Sequence, residues 1–231
     1  MFRTELHCHT EEMSPSCHES GHHVIEKYIE AGYRTLVITN HATPYVFYDK
    51  LRDMEWDEKI ERYFDVLDGL ISYAGDRLCV LPGMEITFTE NHNDYLVFGI
   101  TRDKLKGCPD MIKWGLRRFH EYAMENEMLV IKAHPFRFHE TTVSPDDVDG
   151  FEIFNGHQYE FSHNDIAKMW AEHFTRHKLI LTSGTDSHFD IMTPDAGIIT
   201  AEPILSSDAL LSVLRSGEYE LITSPLGDVE Y

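Results

Sequence analysis

The fold class this sequence predicts is α/β, in the form of a closed β/α barrel, and three observations predict it. Short apolar runs alternate with longer helical patterns along the chain, and strand–helix alternation implies parallel pairing with the helices outside. About seven such units occur without a dinucleotide-binding glycine fingerprint, which favours a closed barrel over an open doubly wound sheet. Metal-competent side chains follow one apolar run after another, and in a parallel barrel those strand ends share one face.

The expected strands cover 3–7, 35–39, 79–85, 94–99, 128–133, 150–154, 179–183 and 220–223. The expected helices lie near 22–31, 56–73, 110–126, 162–177 and 207–215. Ile60, Phe64, Leu67, Leu70 and Ile71 recur at the three-to-four spacing of an amphipathic helix. Gly32, Gly75 and Gly217 stand where helices are expected to stop.

At 231 residues, 42% of them hydrophobic, the chain can build one sizeable core. No run approaches the roughly 18 apolar residues of a membrane helix, and no apolar signal segment follows the N-terminus. Cys8, Cys17, Cys79 and Cys108 form no CxxC pair, so a reducing compartment suits them. A soluble, cytoplasmic protein is the expectation, with no membrane partner. The net charge of −20 argues against non-specific nucleic-acid binding. It also repels anionic substrates at long range, so a phosphate site would need local positive charge, which bound metal ions can supply. Nothing in the sequence bears on oligomeric state.

The first strand ends at Glu5-Leu6-His7-Cys8-His9, and strand alternation turns His7 and His9 the same way, as a chelating pair. The second strand ends at Asn40-His41, the third at Glu85, and strand 128–133 at His134-Pro135. Strand 179–183 leads through Gly184-Thr185 to Asp186-Ser187-His188. Five strand ends thus offer imidazoles and carboxylates, a ligand set suited to zinc, manganese or ferrous iron. Glu85 or Asp186 has two oxygens with which to bridge two ions, and paired ions are suited to hydrolysing phosphate esters or amides.

These residues resemble the PHP (polymerase and histidinol phosphatase) family over nearly the whole chain. The matching pieces are ELHCHT at 5–10, AGYRTLVITNH at 31–41, PGMEITF at 82–88, NDYLVFGI at 93–100, KAHPFR at 132–137, FEIFNG at 151–156 and SGTDSH at 183–188, in the family's order. The resemblance implies a single domain over 1–231, a distorted (β/α)7 TIM-like barrel with a two- or three-metal site at the C-terminal ends of the strands. It implies that His7, His9, Glu85 and Asp186 hold one ion, His41 and His188 a second, and Glu85 and His134 a third. Where the family has a loop ligand after the paired histidines, this chain offers His18 first and Cys17 next. Asn40 replaces an acidic residue that would orient His41. Asp94, with His92 as rival, stands for the ligand that completes the third position.

Arg137 is expected to orient a bound phosphate as a planar donor, with a structural salt bridge as the other reading. Lys132 is expected at the core edge, and Glu152 and Asn155 are expected to support the site from the rim. His157, His163, His173 and His177, together with His22 and His23, are expected on the surface. The aromatic stretch Pro44–Tyr48 is read either as a substrate wall or as packing against the helix that starts near Trp56. The expected activity is a metal-dependent phosphoesterase cleaving a small phosphomonoester through a metal-activated hydroxide, with Asp186, His188 and Arg137 as catalytic residues. The alternatives are a nuclease or phosphodiesterase, an amide or ester hydrolase of the binuclear-barrel type, and a non-catalytic metal-binding module.

Overall fold

The computed structural model describes residues 1–157, 159–173 and 178–223. The strands are β1 (Phe2–Glu5), β2 (Tyr33–Ile38), β3 (His41–Ala42), β4 (Cys79–Thr87), β5 (Asp94–Phe98), β6 (Leu129–Lys132), β7 (Gly150–Asn155), β8 (Ile180–Gly184), β9 (Ala196–Thr200) and β10 (Glu220–Thr223). The α-helices are α1 (Gly21–Glu30), α2 (Trp56–Ala74), α3 (Arg102–Lys106), α4 (Leu116–Glu125), α5 (Tyr159–Ser162), α6 (Asn164–His173) and α7 (Ser207–Ser216). The strands form one sheet in the order β10-β9-β1-β2-β4-β5-β6-β7-β8, with β3 paired to β4 off that path.

Pairing is parallel for β1–β2, β2–β4, β6–β7 and β7–β8. It is antiparallel for β4–β5, β5–β6, β1–β9 and β9–β10, which corrects the expectation of a parallel sheet. The reason is the connection between β4 and β5. A parallel return needs a crossover of a dozen residues or more, and the short segment 88–93 can only close a hairpin. Asp94 opens the reversed β5 and pairs with Thr87, so it lies at the same rim as Glu85 near the end of β4.

The sheet curls until it is nearly closed. Just past β1, Cys8 bridges Ser187 in parallel, and the Asp186 amide donates to the His7 carbonyl at 2.7 Å. Lower down, β9 and β10 lie at the seam. The Ser183 hydroxyl donates to the Ile222 carbonyl and accepts from the Gly197 amide at 3.1 Å.

Leu6, Val37, Leu81, Leu96, Phe98, Leu129, Ile131, Ile180 and Ile198 form one apolar cluster within the curled sheet, and Leu210, Leu211 and Leu214 of α7 join it. The second cluster lies between the sheet and the outer helices, where Val24, Ile25 and Tyr28 of α1 and Ile60, Phe64 and Leu67 of α2 meet Leu36, Ile38, Met84 and Val97. The amphipathic pattern expected over 56–73 is therefore α2's buried stripe, although Ile71 is exposed. A capping box of Glu55 and Glu58 starts that helix. The helix expected over 110–126 is broken into a short 3-10 turn at Met111–Lys113 and α4, because Gly115 between them takes a φ of +78°. The helix expected over 162–177 divides at His163, at a φ of +49°; its last residues, His177 included, lie outside the described residues.

The aromatic stretch after His41 packs inward through Phe47, while Tyr45 is exposed. Phe47 is buried 5.6 Å from the Trp56 ring, and the Tyr48 hydroxyl donates to Asp110 Oδ1 at 3.1 Å. Among the described residues, no helix is long and apolar enough to cross a membrane.

Candidate metal centre

Four imidazoles surround one carboxylate at the C-terminal rim. Glu85 Oε1 lies 3.2 Å from His7 Nε2 and 3.1 Å from His134 Nε2. Its Oε2 lies 3.4 Å from His9 Nε2 and 3.0 Å from His41 Nε2. Asp186 closes the other side, with Oδ1 at 3.4 Å from His7 Nε2, 3.1 Å from His9 Nε2 and 3.2 Å from His188 Nδ1. His7 Nε2 and His9 Nε2 are 3.1 Å apart. An ion that binds nitrogen and oxygen donors at about 2.0–2.2 Å holds its ligands roughly 3 Å from one another. The spacings fit that requirement.

The backbone at the rim is bent to achieve this. Asp186 sits in the left-handed region at a φ of +53°, and His134 at +22°. Such conformations are sparsely populated and collect at functional sites.

The rings are held from behind. Glu152 Oε1 accepts a hydrogen bond from His7 Nδ1 at 2.8 Å, which leaves Nε2 as the nitrogen that faces the cluster and would bind an ion. The Ser14 hydroxyl donates to Asn40 Oδ1 at 3.0 Å, so it accepts from the His41 amide at 3.0 Å and from His9 Nδ1 at 3.1 Å. His9 is thereby held in the same tautomer. Asn40 still orients the site, through Ser14 rather than by a charge on His41. Glu140 Oε1 stands 3.0 Å from His134 Nδ1, and its other oxygen pairs with Lys132. A histidine whose far nitrogen is anchored on a carboxylate or hydroxyl is the usual metal-ligand arrangement. The donor set therefore fits divalent ions, with buried imidazoles and carboxylates and no thiolate among them.

Electrostatics points the same way. Burial opposes charge on His7, but Asp186, Glu152 and Glu85 outweigh it and hold the imidazolium form well above the ordinary range. Burial also opposes charge on Glu85, yet His7, His134 and His41 keep it ionised well below the usual carboxylate range. Asp186 is burdened by burial and lowered by His7 and Arg137. Burial together with His41 and His188 pushes His9 down. Burial, then the nearby Glu85, lifts Asp94 to about 6. His134 is opposed by burial and by Arg137 but rises to about 9 on its bonds to Glu140 and Glu85.

His7, His9, His41, Glu85, His134, Asp186 and His188 are thus brought together, and Asp94 groups with Glu85 and His134. Asp94 carries a hydrogen bond from Thr87, while its rival His92 is exposed. His18 and Cys17 are not brought in. The chain turns tightly at Thr10–Cys17, and the His18 amide is spent on the His188 carbonyl at 2.9 Å, so the His18 ring faces outward against Phe189 at 5.4 Å. Cys17 is buried with its thiol on the Glu19 carbonyl at 3.6 Å. Ser16 instead approaches His188, with Oγ 3.1 Å from Nε2.

Arg137 Nη2 donates to Asp186 Oδ2 at 2.7 Å and to Asn155 Oδ1 at 2.8 Å, while its buried Nε has no partner among the described residues. Lys132 is fully buried rather than at the core edge, because Glu140 and the carbonyls of Asp94 and Ala133 satisfy its ammonium. His22, His23, His163 and His173 are exposed as expected. His157 is not on the open surface. It is half-buried beside His188, with Nδ1 3.2 Å from the Asp186 carbonyl.

Sequence reasoning missed Ser14, Glu140 and Glu5. The buried Glu5 accepts from the amides of Leu6, His7 and Thr185 and from the Tyr28 hydroxyl, locking the ends of β1 and β8 together. The alternation of β1 signals only that Glu5 shares a face with His7. Ser14 and Glu140 lie in loops that carry no periodic signal.

The chain matches no protein-family model and no curated protein at a significant level. It is similar in fold to solved structures. PsfC from Pseudomonas syringae PB-5123 superposes with a TM-score of 0.63 at 16% identity, covering 92% of this chain and 89% of that one. An amidohydrolase from Chromobacterium violaceum, with bound sulfate and no metal, has a TM-score of 0.58 at 14% identity over 95% and 98%. An Endonuclease Q complex with a 27-mer duplex substrate carrying an abasic lesion at the active site has a TM-score of 0.61 at 11% identity. There the match covers 95% of this chain but 58% of the endonuclease. At these identities the likeness is one of fold: a mixed α/β, barrel-like sheet that PsfC, the amidohydrolase and the endonuclease share.

Proposed function

We propose that this chain is a divalent-metal-dependent hydrolase, a distorted (β/α)7 barrel of PHP type forming one domain over 1–231, and that it hydrolyses a small phosphomonoester. Seven strands, β1, β2 and β4 to β8, make the wall in this reading, with β5 reversed. The observation that carries the proposal is Glu85, each of whose carboxylate oxygens lies between two imidazole nitrogens. A carboxylate flanked in this way serves as a shared ligand of neighbouring ions. Two or three ions of zinc, manganese or ferrous iron suit the donor set. When bound, they supply Lewis acidity and an activated water.

The chain's own residues do the rest. His7, His9, Asp186 and Glu85 form the inner position, His41 and His188 the second, and Glu85, Asp94 and His134 the third. Arg137 is held on Asp186 Oδ2, its buried Nε has no partner among the described residues, and its guanidinium is the cation placed to orient a phosphate in this reading. Beyond Arg137 opens a pocket of about 720 Å³ lined by Phe136, Arg137, Phe138, His139, Glu140, Phe161 and His163. Its aromatic walls suit the leaving alcohol of an ester with an apolar or aromatic face.

The test is phosphate release from a panel of phosphomonoesters, histidinol phosphate included, by protein loaded with manganese or zinc. Release abolished by chelator and by Asp186→Asn is the expected result. Metal-loaded protein that releases no phosphate from any monoester would overturn the substrate reading.

Two other reactions have support in the fold neighbours. Endonuclease Q, which holds a DNA duplex, favours a nuclease, although the net charge of −20 opposes it. The amidohydrolase favours amide or ester hydrolysis. Cleavage of an abasic duplex or of an acyl substrate, without monoester turnover, would select between them.

A further inference from the structure

We propose that His157 is a metal ligand that joins Asp186 and His188 at the second ion position, in place of the missing ligand from the loop after β1. The inference rests on the metal-dependent reading above and adds a residue that the sequence placed on the surface.

Three observations support it. First, His157, Asp186 and His188 each offer a ligand atom, and these atoms all lie within 4.8 Å of one another. Second, His157 is held for the role. Its amide donates to Asn155 Oδ1 at 3.0 Å and its carbonyl accepts from the Ser162 hydroxyl at 2.8 Å. Its Nδ1 is 3.2 Å from the Asp186 carbonyl, so that nitrogen carries the proton and Nε2 is left with its lone pair. This is how ligating histidines are usually tied down. The ring meets His188 nearly at right angles, with centroids 4.9 Å apart. Third, the loop that would otherwise complete the site turns away, with His18 exposed against Phe189 and Cys17 buried on a carbonyl. Ser16, the loop side chain nearest His188, offers only a hydroxyl, a poor ligand for these ions beside imidazole.

The substitution of ligand is reasonable sterically. Gly156, just before His157, packs against the Thr185 backbone, where an added Cβ would come within 3.2 Å of the Thr185 carbonyl oxygen. That close approach brings the segment after β7 up to the Asp186–His188 segment.

The experiment uses the full chain, stripped with chelator and titrated calorimetrically with Zn2+ and, separately, with Co2+ followed by visible absorption. His157→Gln is expected to lose one equivalent of ion, or to bind its weakest equivalent at least 10-fold less tightly, while His18→Gln binds as the wild type does. His157→Cys is expected to regain the equivalent and, with Co2+, to add a thiolate-to-metal charge-transfer band absent from the wild type. Wild-type stoichiometry and affinity in His157→Gln, with no new band in His157→Cys, would overturn the inference and leave the metal centre standing. A wild-type chain that binds no ion would overturn the metal-dependent reading itself, and this inference with it.

Discussion

Glu152 places Oε1 2.8 Å from His7 Nδ1, on the side of the ring away from the ligand cluster. Its other oxygen accepts from the His134 amide and from Asn155 Nδ2, both at 2.9 Å. One buried carboxylate on β7 thus fixes the tautomer of His7, the bend at His134 and the Asn155 amide that also reaches Asp186. Removing the partner of a ligating histidine typically costs 10–100-fold in metal affinity. Glu152→Gln is expected to weaken the tightest zinc equivalent by about that factor while the far-ultraviolet circular dichroism stays unchanged. Unaltered affinity would mean that Glu152 is a packing residue alone.

Proton release accompanies metal uptake in this account. Without metal, His7 and His134 keep their protons above the ordinary histidine range, His134 to about 9. An entering ion must displace those protons, so apparent affinity rises with pH and protons leave on binding. Calorimetry in buffers of different ionisation enthalpy measures that release. The same shift acts on stability. For a histidine whose folded value lies above its unfolded one, the contribution is complete below about 6.5 and fades as pH rises through the folded value. The chelated protein is therefore expected to melt at lower temperature at pH 9.5 than at pH 6.5. Metal uptake without proton exchange at pH 7 would contradict both expectations.

Arg137 pairs with Asp186 but touches none of the ring nitrogens. Arg137→Ala is expected to leave the metal content intact. Phosphate-ester turnover should fall about 100-fold, in the range found for loss of one donor that stabilises the transition state. Parallel loss of metal and turnover would make Arg137 a support of Asp186 instead.

Two glycines should respond oppositely to alanine. A methyl group on Gly184 would press on the His7 Cβ and come within 2.8 Å of Glu152 Oε1, in the packed seam behind the centre. Overpacking of this kind costs about 1–3 kcal/mol, and here it also displaces a ligand. Gly69, inside α2, has nothing within 4 Å of its Cβ position, so Gly69→Ala should stabilise by about 1 kcal/mol. Chemical denaturation of both variants, with metal analysis of Gly184→Ala, checks the pair.

The legible part of this chain was local. His7, His9, His41, Glu85, His134 and Asp186 follow apolar runs, and strand periodicity alone carries them to one rim. Asp94 was named only through the family resemblance; it reaches the rim because β5, reversed, enters from there. β9 escaped notice because Ala196–Thr200 is short and carries a glycine at its second position, which weakens the strand pattern. His157 follows β7 in a segment with no apolar pattern. Its place against His188 comes from tertiary contacts, the ring contact itself and the approach of Gly156 to Thr185, which no local pattern signals. His18 was misplaced for the complementary reason. Its spacing after His9 suits a loop ligand, but the backbone bonds of the turn at Thr10–Cys17 aim its ring outward.

Counting ions per chain in wild type and Glu85→Gln, by elemental analysis after loading with zinc or manganese and removal of free metal, tests the central claim most directly. The account predicts two or three ions in the wild type and the loss of at least one in Glu85→Gln, because both carboxylate oxygens serve neighbouring positions. A wild type holding no ion, or a Glu85→Gln variant holding as many ions as the wild type, would contradict it.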